Sequence, residues 1–176
     1  MSELSNAETA LLGLLSEEPM YPYQIEQQVK YRDMRFWTDL SMSSIYKLLR
    51  KLEKEELVVR TDRISTENRL QKHYSVSAKG EGVLREKLLS LLSVSEHMRW
   101  QFDLGIYNSY LLPKDKVCAA LEAYKEDLQK KIRGYQDLQE FLKGSNCPLH
   151  HLAVAVRPVF LLEGEMKWVD DYLAQL

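Results

Sequence analysis

The clearest periodic pattern in the chain lies between Asp39 and Lys54. Ile45, Leu48, Leu49 and Leu52 recur at i, i+3, i+4 and i+7, the spacing of one packed helical face. Ser43, Lys47, Arg50, Lys51 and Lys54 fall on the opposite side, and Tyr46 sits at the flank. The spacing predicts a helix with one oily side and one cationic side, capped by Asp39 or Ser41. Directly after it, Leu57-Val58-Val59-Arg60 reads as a strand, with imperfect alternation through Asp62 and Ile64. Residues 65–69 are a turn by composition, and Lys72-His73-Tyr74-Ser75-Val76 returns as a second strand. Tyr74 and Val76 are expected to pack down, leaving His73 and the tip of Lys72 near the surface. So short a ribbon needs helices beneath it.

Upstream, Ala7, Leu11, Leu14 and Leu15 make the buried stripe of a helix over residues 5–17, with Asn6 its expected N-cap and Glu17-Glu18-Pro19 its end. A second helix begins at Tyr21-Pro22-Tyr23, where proline's missing N–H costs nothing, and Tyr23, Ile25 and Val29 are expected to point inward. Phe36 and Trp37, in a polar connector, are read as plugs at the side of a three-helix core. Ser77 caps a fourth helix carried by Val83, Leu84, Leu88, Leu91 and Leu92, with Gly80 and Gly82 weakening its first turns. Two helices, then a third running directly into a hairpin, with cations on both, are the way a winged helix-turn-helix faces DNA.

Past residue 92 the periodicity is helical only. One segment runs from about Ser95 to Leu112, a long one from Lys114 to Lys143 and a last one from Leu149 to Gln175, with Pro158 a kink. Gly144-Ser145-Asn146-Cys147-Pro148 is the break between the last two. These helices carry more apolar surface than their half of the chain can cover, so association with a second copy is the economical solution. The expected architecture is mainly α (α+β): a winged helix with a two-stranded wing over residues 1–92, and a helical dimerisation domain over 93–176.

Charge sharpens the picture. The total is −2 over 176 residues, but Ser41 to Gly80 holds nine Lys/Arg against five Asp/Glu, a local excess of +4 on a body of −6. A basic patch on an acidic body suits a nucleic-acid face. The acidic total favours the alternative, a winged-helix protein-interaction module that never touches DNA. Cys118 and Cys147 form no disulfide framework and read as free thiols of a reducing compartment. The polar, acidic start is no signal peptide, and the longest apolar run, Thr9 to Leu15, is too short for a bilayer; a cytoplasmic protein is expected.

Catalysis finds no support. His73, His97, His150 and His151 show no metal-ligand spacing with the cysteines, and neither a phosphate loop nor a nucleophile motif is present. No catalytic residue, metal or cofactor is expected. Trp100, Phe102, Tyr107 and Trp168 are aromatics near the expected dimer interface and read either as packing or as the lining of a cavity for a small apolar or aromatic effector.

The segment Leu40-Ser41-Met42-Ser43-Ser44-Ile45-Tyr46-Lys47-Leu48-Leu49-Arg50-Lys51-Leu52-Glu53 resembles the recognition-helix signature of PadR-type transcriptional regulators. Lys72-His73-Tyr74-Ser75-Val76-Ser77-Ala78-Lys79-Gly80, Ala10-Leu11-Leu12-Gly13-Leu14-Leu15 and Pro22-Tyr23-Gln24-Ile25 also look like that family, and the C-terminal half is similar to its subgroup containing virulence-gene activators. Ser43 and Glu56 stand where the family often has glycine, and Glu56 removes a helix-stop glycine. The resemblance implies a homodimer on an inverted-repeat operator in double-stranded DNA, usually a repressor, sometimes released by a small molecule.

On that footing Ser41, Ser43 and Ser44 offer hydroxyls and backbone N–H groups to a phosphate. Tyr46, Lys47 and Arg50 reach base edges or phosphates, Lys51 and Lys54 hold the backbone, and Arg63, Arg69 and Lys72 on the wing meet flanking DNA. Lys54, among Glu53, Glu55 and Glu56, is equally readable as a neutralised surface charge.

Overall fold

Ser5 and Glu8 set the start of α1 (Asn6–Glu17): the Ser5 hydroxyl accepts from the Glu8 N–H, and the Glu8 carboxylate accepts from the Ser5 N–H, a reciprocal capping box. The N-cap is therefore Ser5, one residue before the expected Asn6. The computed structural model describes residues 3–64, 68, 70–95, 100–145 and 147–176, the side chain of Phe36 excepted. It places α2 at Pro22–Tyr31, α3 at Met42–Lys54, β1 at Val58–Ile64, β2 at Leu70–Val76, α4 at Ala78–Ser93, α5 at Gln101–Tyr107, α6 at Lys114–Gly144 and α7 at Leu149–Leu173. The expected turn lies outside the described residues except for Asn68, whose φ is 58°.

The chain forms two compact units, Met1–His97 and Met98–Leu176. In the first, α1, α2 and α3 bury one continuous core with the base of the wing; Leu11, Leu12, Ile25, Val29, Ile45 and Leu52 are fully enclosed. The inward stripe of α3 is as its periodicity predicts: Ile45, Leu49 and Leu52 buried, Leu48 half-buried. The wing is antiparallel, with Val58 opposite Val76, Arg60 opposite Tyr74, Asp62 opposite Lys72 and Ile64 opposite Leu70. A bridge between Met20 and Tyr74, Met20 N–H to Tyr74 carbonyl at 3.0 Å and the reverse at 2.9 Å, adds one residue pair from the α1–α2 connection to the ribbon.

Two aromatics depart from expectation. Tyr23 and Trp37 are each 54% exposed, so neither belongs to the core; the reading of Phe36 as a plug lies outside the described side chains. The connector is held instead by Arg35, whose Nε donates to the Leu40 carbonyl at 2.8 Å and whose guanidinium meets the buried Glu26 carboxylate at 2.7 Å. That clamp fixes the chain at the threshold of α3. His73, expected near the surface, is half-buried with its ring 5.3 Å from that of Tyr21.

The end of α3 shows why two residues stand where they do. Glu56 has a φ of 60°, and the Leu57 N–H bonds back to the Leu52 carbonyl at 2.9 Å, a left-handed helix stop made without glycine. Gly80, by contrast, admits no side chain: a Cβ there would lie 2.0 Å from the Leu57 carbonyl oxygen. Its presence in the first turn of α4 lets that helix start against the base of the wing, with Ser77 Oγ donating to the Glu56 carbonyl at 2.7 Å.

In the second unit α6 packs along α7. Val117, Leu121, Leu128 and Ile132 of α6 and Ala155, Val159 and Val169 of α7 are buried. The expected segment from Ser95 to Leu112 is in fact the short α5 and a single 3-10 turn, Ser109–Leu111, with 96–99 outside the described residues. Leu104, Tyr107, Leu111, Phe141 and Phe160 are exposed.

Candidate nucleic-acid interface

Helix α3 begins on a serine network. Ser41 Oγ accepts from the Ser44 N–H at 3.2 Å, and the Ser41 N–H donates to Ser44 Oγ at 2.7 Å. The hydroxyls of Ser41 and Ser44 thus stabilise the helix start; Ser41 and Ser43 are both exposed, their hydroxyls 3.1 Å apart. At about 100° per residue, Ser43, Lys47, Arg50 and Lys54 line up along one stripe, roughly opposite the buried Ile45, Leu49 and Leu52.

The stripe is left free by the way the acids are used. Glu53 meets Arg60 at 3.6 Å, Glu55 lies 3.9 Å from Lys51, and Glu56 pairs with Lys79 at 3.3 Å. Among the described residues, Lys47, Arg50, Lys54, Arg63 and Lys72 meet no carboxylate, and all are exposed. Lys54 therefore stands clear of the glutamates that surround it in sequence.

Lys51 behaves differently. Its ammonium lies 2.5 Å from the carboxylate of Glu8, which is 2% exposed and also accepts from the Ser5 N–H and hydroxyl. The hydrogen bond to Glu8 raises the Lys51 pKa. Burial, the largest influence on Glu8, pushes its carboxyl up, but Lys51 and Ser5 together outweigh it and hold the group below its usual value. Lys51 thereby ties α3 to α1. No sequence spacing announces this pair, because it joins separate helices.

On the wing, strand alternation puts Leu70, Lys72 and Tyr74 on one face and sends Arg63, opposite Gln71, to the other; Arg69 lies outside the described residues. Asp62 faces Lys72 across the ladder but is engaged by Arg60 Nε at 3.4 Å. Between the wing, the start of α2 and the exposed side of α3 runs a cleft of about 350 Å³, lined by Tyr21, Pro22, Tyr46, Arg50, Leu70, Gln71, Lys72 and Tyr74. No sequence pattern marks Tyr21 and Gln71 as site residues; the Met20–Tyr74 bridge joins the chain before Tyr21 to the wing.

Of the candidate effector aromatics, the structure brings two together and adds two. Phe102 stacks on Tyr124 with centroids 4.2 Å apart and meets Trp168 edge-on at 5.8 Å, while Trp168 stacks on Tyr172 at 5.2 Å. The Tyr124 hydroxyl lies 3.3 Å from Glu165, and its pKa is raised, by burial first and Glu165 second. Trp100 and Tyr107 are exposed. The i, i+4 pair Trp168 and Tyr172 was the available signal for the fourth ring.

Among the described residues no group of His, Cys, Asp or Glu could hold a metal, and no helix is long and apolar enough to cross a membrane. A search of curated proteins finds no match to the chain. Solved structures share its fold. Bacillus subtilis PadR in complex with operator DNA is 22% identical with a TM-score of 0.77, over 96% of this chain and 97% of that one. The same protein in complex with p-coumaric acid is 21% identical at 0.75, over 96% of each chain. The Vibrio cholerae virulence activator AphA is 16% identical at 0.67, over 97% of each. Residues 11–86, which hold most of the winged helix, match the transcriptional regulator PadR-like family. That match identifies the segment 11–86, 76 of the 176 residues, as similar to transcriptional regulators of the PadR-like family.

Proposed function

We propose that the chain binds double-stranded DNA as a homodimer, placing α3 of each copy in the major groove of one half of an inverted-repeat operator and the wing against the flanking backbone. The observation that carries this reading is the stripe Lys47, Arg50 and Lys54: exposed cations without carboxylate partners among the described residues, on a helix whose other side is sealed in the core. Ser43 and Tyr46 flank the stripe and, with Lys47, are the groups that reach base edges. The wing contributes Lys72 on one face and Arg63 on the other. The fold shared with Bacillus subtilis PadR, whose structure holds operator DNA, supports the same geometry here.

Dimerisation covers apolar side chains that the second unit leaves open, among them Leu104, Tyr107, Leu111, Phe141 and Phe160. The aromatic group of Phe102, Tyr124, Trp168 and Tyr172 is the place for a small aromatic effector that releases a repressor from DNA, a reading supported by the p-coumaric acid complex of that same neighbour.

Selection of duplexes from a random pool by the purified protein tests the reading. A palindromic product with half-sites about one helical turn apart is expected. Selection of no duplex, or of a sequence without two-fold symmetry, would contradict it.

A further inference from the structure

The cleft between α3 and the wing has a composition that separates its work from that of the rest of the stripe. Two cations line it, one from each side: Arg50 from α3 and Lys72 from β2. Neither meets a carboxylate among the described residues, and the nearest acid across the ladder, Asp62, is held by Arg60. Tyr21, Pro22, Tyr46, Leu70 and Tyr74 supply apolar walls, with Gln71 at the edge. The walls are fixed: Tyr74 is buried, and its backbone is bonded in both directions to Met20, which immediately precedes the Tyr21-Pro22 wall. A fixed cleft of about 350 Å³ with converging cations and apolar sides suits an anionic group joined to an uncharged ring. A sugar-phosphate unit of a DNA strand has that make-up.

We infer that this cleft seats one sugar-phosphate of the operator backbone in each half-site, with Arg50 and Lys72 sharing a single phosphate. The inference rests on the DNA-binding reading above. Of the two roles open to Arg50, base edges or phosphates, it assigns the phosphate, and it leaves Lys47, Tyr46 and Ser43 to the base edges. The recognition helix and the wing then grip the same phosphate, so the wing's position sets how deeply α3 lies in the groove.

The test is the salt dependence of binding to the selected duplex by wild type, Arg50→Met, Lys72→Met and the double variant, each checked for an unchanged thermal melt. Each neutralised phosphate contributes a slope of about 0.9, or about 1.8 for a symmetric dimer. With one shared phosphate, either single variant keeps most of the wild-type slope and the double variant loses about 1.8. Two separate phosphates would instead cost about 1.8 for each single variant and about 3.6 for the double, which overturns the inference. A single methylphosphonate, scanned along each half-site of the DNA, supplies a readout on the unaltered protein. One backbone position should weaken wild-type binding and leave the double variant unaffected. The inference also fails if Arg50→Met changes which bases are preferred at any position. A wild type that binds no duplex defeats the DNA-binding reading itself, whereas binding with additive slopes defeats only the shared phosphate.

Discussion

The Glu8 carboxylate, 2% exposed, lies 2.5 Å from the Lys51 ammonium, so a buried acid of α1 holds the middle of the recognition helix. Loss of the acid removes both this pair and the capping box of α1. Glu8→Ala is expected to cost about 1–3 kcal/mol, read from chemical denaturation. Lys51→Met should lower the melting temperature while leaving the salt slope of DNA binding near wild type; a melt that holds and a slope that falls would make Lys51 a phosphate contact instead.

Acid stability follows from the same groups. The Arg35 guanidinium is the main reason the Glu26 carboxyl sits below its usual value of 4.5, and Glu8 is lowered by Lys51 and Ser5 against the opposing push of burial. Both folded values lie below the unfolded ones, so the unfolded chain takes up protons first as pH falls. The stabilisation is complete above 4.5 and is lost as pH drops through the folded values. Wild-type denaturation midpoints should therefore fall steeply below about pH 4.5. Glu8→Gln combined with Glu26→Gln should be weaker at neutral pH and show a shallower acid decline; an unchanged acid profile would contradict the assignment.

Gly80 and Gly82 lie two residues apart in α4 and should respond oppositely to alanine. A Cβ at Gly80 would meet the Leu57 carbonyl oxygen at 2.0 Å, whereas one at Gly82 meets nothing within 4 Å. Gly80→Ala is expected to destabilise by about 1–3 kcal/mol or to displace α4 from the wing. Gly82→Ala should stabilise by about 0.5–1 kcal/mol. Equal effects in thermal melts would refute the close approach.

Glu56 occupies a left-handed position, with φ of 60°, that glycine tolerates better. Its ion pair with Lys79 is exposed and worth little. Glu56→Gly is expected to raise stability by about 0.5–1 kcal/mol with DNA affinity unaltered. A loss of stability would mean that the Lys79 contact outweighs the backbone strain.

The recognition helix could be read from sequence because one strong period wrote both of its faces: Ile45, Leu49 and Leu52 in, Lys47, Arg50 and Lys54 out. The hairpin and the Ser77 cap were legible for similar local reasons. The Ser5–Glu8 capping box is also local, an S-x-x-E spacing that outweighs the cap propensity of Asn6. What stayed hidden was tertiary. Lys51 and Lys54 look alike in sequence, and only the arrival of Glu8 from α1 separates them. Size alone points Trp37 to the core, while the connector is secured by the Arg35 contacts with Glu26 and Leu40. The cleft depends on a one-pair bridge, too short for any periodicity to reveal.

The most direct test of the account is the salt dependence of affinity for the selected duplex after Lys47→Met and Lys54→Met are combined. The exposed stripe predicts a slope reduced by about 1.8 for the dimer through Lys54, a relaxed base preference through Lys47, a large loss of affinity and an unaltered melt. A slope and affinity equal to wild type would show that this face of α3 does not meet DNA.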